Sequence, residues 1–153
     1  MEEKKPMRAD EVLQIEPVVH TLTAGTSMRP MLRQGRDVVV VERVSRPLRV
    51  GDAPLYRKVG KDKLVLHRIV KITDKGYVIR GDNLYFNEYD VTDDDIVGVL
   101  KAFYREGKYV DCATNRLYRF YWHWRIADYP LRKYIYRPIR KMLSFVKHKI
   151  FRL

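Results

Sequence analysis

From Val18 to Cys112 the chain is cut into short β-branched and aromatic runs separated by turn residues, and this rhythm limits the fold more than any other feature. Val18 to Thr23 reads as one strand. Asp37 to Val44 is continuous and Val-rich, as a strand buried on both faces should be. Ser45-Arg46-Pro47 ends it, and Gly51-Asp52 marks a turn before Leu55 to Val59. Lys63 to Ile72 is long enough for one strand, and Asp74-Lys75-Gly76 turns it back into Tyr77 to Arg80. Ile96 to Tyr104 and Lys108 to Cys112 form a final hairpin around Glu106-Gly107. Such spacing predicts a mainly β unit, barrel or sandwich, over residues 18–114. Residues 1–17 form a lead-in, with a short helix over 8–16 that uses Asp10 as N-cap and stops at Pro17.

Beyond Asn115 the texture changes to a basic, aromatic-rich helical tail, residues 115–153. Tyr118, Phe120, Tyr121, Trp122, Trp124, Tyr129, Tyr134 and Tyr136 are interleaved with Arg and Lys. Pro130 and Pro138 are expected to divide the tail into two or three helical pieces. In the last piece Met142, Leu143, Val146, Ile150 and Leu153 fall near one face. The tail carries eleven Lys and Arg against one acid, Asp128, and so holds nearly all of the formal net charge of +12. Basic and aromatic side chains together suit an anionic membrane surface. They also suit nucleic acid, the less favoured partner, and a third reading packs the tail on the β unit with its charges solvated.

Cys112 is the single cysteine, so no intramolecular disulfide forms, in keeping with a reducing compartment. The four histidines are scattered, giving no zinc signature; neither metal nor cofactor is expected. The N-terminal residues lack the apolar core of a signal peptide, and no run of 18 apolar residues occurs. The expectation is a cytoplasmic protein, peripheral at a membrane surface through its tail.

The stretch Gly25-Thr26-Ser27-Met28-Arg29-Pro30-Met31-Leu32 presents a serine where a nucleophile is useful. Gly25 allows close approach of the backbone, and Pro30 disfavours helix through Arg29, so Ser27 sits on a turn. His67 lies within Leu64 to Val70, and Gly81-Asp82-Asn83 follows. Serine, histidine and carboxylate in separate segments are the parts of a serine hydrolase. Singly, each has a plainer reading: a turn hydroxyl, a histidine satisfied inside a strand, an Asp-Asn turn.

The order Gly-x-Ser-Met-x-Pro, Gly-Asp, His-Arg-Ile, Gly-Asp-Asn resembles the type I signal peptidases from about Thr21 to Tyr104, and more distantly the LexA-like self-cleaving repressors that share their catalytic domain. A histidine where bacterial members use lysine is similar to the archaeal and endoplasmic-reticulum branch. The resemblance implies a signal peptidase/LexA-like β barrel-sandwich, with Ser27 as nucleophile and His67 as general base. Asp82 is the first candidate to orient His67, with Glu88 and Asp90 as alternatives. The oxyanion hole would draw on the backbone N–H of Ser27, with a second donor from Thr26 or nearby. Gly25 stands where many members carry a serine that helps there, and Asp52 is a structural turn residue. The implied substrate is an extended peptide or protein segment with small residues before the scissile bond. Ordinary signal peptidases carry a membrane anchor, and this sequence shows none. Two other classes stay open: a LexA-like nucleic-acid-binding regulator, and a catalytically idle peptide-binding module.

Overall fold

A computed structural model describes residues 7–58, 60–61 and 63–150, the last five by backbone alone. The protein is mainly β, with a curled antiparallel sheet and C-terminal helices. After helix α1 (Ala9–Ile15) come β1 (Val18–Leu22), β2 (Val38–Glu42), β3 (Pro54–Arg57), β4 (Leu64–Leu66), β5 (Arg68–Thr73), β6 (Gly76–Arg80), β7 (Glu88–Val91), β8 (Ile96–Arg105) and β9 (Lys108–Asp111). One sheet runs β1-β2-β8-β3-β4 with β9 added beside β8; β5, β6 and β7 form a second. The free edges of the main path are therefore β1 and β4.

Strand alternation sends side chains to two cores. Leu55 and Leu100 join Met28, Met31, Leu32, Val39, Val41 and Phe103 in one. Their chain neighbours Tyr56 and Val99 join Ile69, Ile79 and Val91 in the other. The second core thus lies between the two sheets, and the first on the opposite face of the main sheet. Val39, Val40 and Val41 are all buried, as the continuous run in β2 predicts.

Three local expectations are corrected. Asp10 does not cap α1: Arg8 occupies that position, and Asp10 sits in the first turn, buried and paired with Arg57 at 2.9 Å. Lys63 to Ile72 is not one strand. It breaks at His67, so that β4 stays in the main sheet while β5 enters the second. The cause is a change of backbone partner, with His67 N–H directed to the Pro54 carbonyl and Ile69 N–H to that of Asp52. Nor does Pro138 interrupt the tail. After α2 (Arg116–Ala127) and a turn of helix α3 (Tyr129–Leu131), a π-helical stretch over Arg132–Tyr136 leads without a gap into α4 (Arg137–Ile150). The wider turn accommodates a proline that lacks an N–H and would clash with the preceding turn of an α-helix. Val146 and Ile150 of the expected apolar face lie where side chains are not described, and Leu153 lies outside the described residues.

The first part of the tail is no loose appendage. Asn115 caps α2 by accepting from Tyr118 N–H, and Tyr118 belongs to the first core. Its hydroxyl accepts from the Arg68 guanidinium at 3.1 Å. Arg68 is 1% exposed and forks onto Asp82 with two bonds of 2.8 Å, while Asp82 also accepts from the Tyr121 hydroxyl. The network joins β5, the loop after β6 and α2.

A buried charge left without its partner is costly, whereas an apolar replacement of both members is often tolerated. Arg68→Met should therefore lower unfolding free energy by about 3–5 kcal/mol, measured by denaturant titration. The double variant Arg68→Met/Asp82→Asn should recover a large part of that loss. A single-variant loss below about 1 kcal/mol would contradict the role assigned to the pair.

Candidate active site

Ser27 lies in a turn held from two sides. Arg29 N–H donates to the Thr26 carbonyl and Leu32 N–H to that of Met28, while buried Met28, Met31 and Leu32 pin the turn into the first core. Gly25, at φ +82°, takes a backbone conformation that suits glycine and donates to the Gln34 side chain. On the other side the loop after β6 comes so close that a Cβ on Gly81 would stand 2.8 Å from the Ser27 carbonyl oxygen. Asn83 fastens this contact, its N–H donating to the Ser27 carbonyl at 2.7 Å and its side chain to that of Thr26. The motif Gly81-Asp82-Asn83 is thus a clamp on the serine turn. Among the described residues the Ser27 hydroxyl has no hydrogen-bond partner, nor do the N–H groups of Thr26 and Ser27.

His67 sits at the corner where the chain leaves one sheet for the other, 4% exposed. Its Nδ1 is 3.1 Å from the Tyr56 hydroxyl and 3.4 Å from Glu88 Oε1. Lys58 Nζ donates to the same Glu88 oxygen at 3.0 Å. Nε2 has no partner among the described residues. Ser27 and His67 line one cleft of about 860 Å³, together with Glu88, Lys58, Thr21 and Leu22 of β1, and Leu64, Val65 and Leu66 of β4. The two free edges of the main sheet thus border it; Met28, Leu32, Leu55 and Leu84 contribute apolar surface, and Arg8, Lys61 and Lys63 line it as well. The two side chains share this cleft without being hydrogen-bonded to each other.

Of the three carboxylates considered as partners of His67, only Glu88 stands against its ring. Asp82 does not touch His67; its carboxylate is taken by Arg68 and Tyr121. Successive residues in extended backbone point to opposite sides. Asp82 lies on the side of Arg68, and Glu88, the first alternative, on that of His67. Asp90 is exposed at φ 58° and does not line the cleft. Tyr56 and Lys58 escape sequence reasoning, since only the fold brings β3 and β7 against His67. Asp52 is held by Arg46 and by Arg49 N–H as a turn residue.

Burial is the main influence on His67, lowering its pKa from 6.5 to about 4; the nearby Glu88 carboxylate resists this and the Lys58 ammonium adds to it. Burial alone would raise the Glu88 pKa, but hydrogen bonds from Lys58 and Tyr56, with the charge of Lys58 and of His67 where it is protonated, hold it below the usual carboxylate value. At neutral pH the pair is a neutral imidazole beside a carboxylate. Because the folded pKa of His67 lies below its unfolded value, its contribution to stability is complete above about 6.5 and is lost as pH falls toward 4.

No protein-family model matches the chain, and no solved structure matches it.

An NMR titration of the His67 ring should give a midpoint well below 6.5, near 4. Lys58→Met should raise that midpoint and Glu88→Gln should lower it further. A midpoint between 6 and 7 would mean that the ring is solvated, contrary to its burial.

Proposed function

We propose that the chain is a serine endopeptidase on a signal peptidase/LexA-like catalytic fold. In this reading Ser27 is the nucleophile, His67 the general base, and Glu88 with Tyr56 the pair that orients the imidazole. One observation carries it: among the described residues, a serine hydroxyl without a partner and a histidine Nε2 likewise without one open on the same cleft, with a carboxylate behind Nδ1. The Tyr56 hydroxyl can donate to Glu88, leaving its oxygen to accept Nδ1–H. That tautomer puts the basic lone pair on Nε2, the nitrogen a serine proton must reach.

Cleavage then takes the usual two steps of acyl transfer. Nε2 removes the Ser27 proton as Oγ bonds to the scissile carbonyl carbon, and the N–H groups of Thr26 and Ser27, which have no partner among the described residues, are at hand for the developing oxyanion. The imidazolium returns its proton to the leaving amine, giving an acyl-enzyme. Water, deprotonated by the same imidazole, releases the acid. Substrate binding must bring Oγ to Nε2, because apo catalytic contacts often tighten only in the complex. The unpaired edges of β1 and β4 beside the cleft offer main-chain donors and acceptors to an extended peptide. The depressed pKa of His67 keeps the base neutral across the physiological range, though a weaker base extracts a proton less readily.

Ser27→Ala should abolish cleavage of a mixture of unstructured peptides, read by mass spectrometry, with thermal unfolding nearly unchanged; activity near wild type would exclude Ser27. His67→Ala should be similarly inactive, and His67→Lys should rescue little, since a lysine must lose its proton in a site shaped around an imidazole. An idle module would bind peptides and cleave none of them. Residue type alone predicts an activity limb between pH 6 and 7. The buried geometry moves that limb to near pH 4, with a nearly flat profile from 5 to 8 in a chemistry-limited assay. A limb well above 8 would point to a lysine base instead.

A further inference from the structure

Beyond Asp128 the sequence contains no acid, while Lys133, Arg137, Arg140 and Lys141 follow within a few turns. The helical arm formed by α3, the π turn and α4 leaves an apolar stripe in the open. Leu131 and Ile139 are each 44% exposed, Ile135 46%, Leu143 59% and Met142 61%. They recur every three or four residues, the spacing of one helical face. No helix among the described residues is long and apolar enough to cross a membrane, so the stripe is not a spanning segment but an exposed face of a basic arm.

We infer that this arm docks on the surface of an anionic lipid bilayer, its aliphatic stripe sunk among the upper acyl chains and its Lys and Arg side chains on the headgroups. Charge complementarity selects this occupant. Single-stranded nucleic acid could stack bases on the exposed aromatics of the arm, but it would leave the aliphatic stripe uncovered. A second copy of the chain would cover the stripe only by bringing two wholly cationic flanks together. An anionic bilayer answers both features at once. Tyr134 and Tyr136, 68% and 50% exposed, are of the type that settles at headgroup depth. Trp122, one of the tail's two tryptophans, is withheld from such a role, because it packs on Gly51.

The base of the arm is fixed to the body. Arg132 donates to the Asp128 carboxylate and to the Asp82 carbonyl, each at 2.9 Å, and the Tyr129 hydroxyl donates to the Tyr85 carbonyl. Docking would hold the whole β unit at the bilayer, whatever its chemistry.

Flotation of the full chain with phosphatidylcholine vesicles, with and without phosphatidylglycerol, tests this. Binding should require the anionic lipid and fall with added salt as the Debye length shortens. Ile139→Asp/Leu143→Asp and Arg140→Glu/Lys141→Glu alter exposed residues, so both variants should keep the wild-type melting temperature and lose about tenfold or more of vesicle affinity. Duplex or single-stranded nucleic acid at equal charge concentration should not strip the protein from the vesicles. The proposal is overturned by failure to float at low salt, by unimpaired flotation of Ile139→Asp/Leu143→Asp, or by transfer to nucleic acid. It is overturned equally if the chain is a dimer that this variant makes monomeric without changing flotation.

Discussion

The ion pair of Arg68 with Asp82 is the constraint on which the rest of the structure depends. Both side chains are almost wholly excluded from solvent, so they persist only because each is fully engaged. Arg68 donates to Asp82, to the Gly51 carbonyl and to Tyr118, and Asp82 accepts a further bond from Tyr121. Through these bonds one charge holds together β5, the turn before β3, the loop after β6 and helix α2. The loop so fixed is the one whose Asn83 grips the backbone of Ser27. A structural ion pair therefore sets the position of the candidate nucleophile without touching its hydroxyl.

His67 is fixed by the same device from the other direction. Placing Arg68 inside turns its chain neighbour the opposite way, toward the cleft. There the fold supplies Tyr56 from β3 and Glu88 from β7 on one ring nitrogen, and among the described residues the other has no partner. Burial, not the carboxylate, dominates the ring's proton affinity. At neutral pH the cleft consequently holds a neutral imidazole beside the Glu88 carboxylate, with Met28, Leu32 and Leu55 close by.

Much of this was legible in the sequence. The valine run of β2, the hairpin at Asp74-Lys75 and the final hairpin through Glu106-Gly107 follow from residue type and spacing alone. So does a turn at Ser27. The break at His67 was not legible, because it depends on carbonyls of Asp52 and Pro54 supplied by a distant turn. Asp82 looked like the natural partner of a histidine, yet Arg68 beside it had the stronger claim, a competition settled only by packing. Glu88 could be named as an alternative, whereas Tyr56 and Lys58 gave no local signal. Aromatic density marked the tail, but no periodicity could tell Tyr118 and Tyr121, which are bonded into the body, from Tyr134 and Tyr136, which face outward.

The most direct measurement of the central claim, that His67 activates Ser27, is covalent trapping. The intact protein, treated with a serine-directed fluorophosphonate and digested, should carry the adduct on the peptide containing Ser27. Labelling should fall sharply in His67→Ala and, more mildly, in Glu88→Gln, while both variants remain folded. An adduct at another residue, or equal labelling of Ser27 when His67 is absent, would contradict the account.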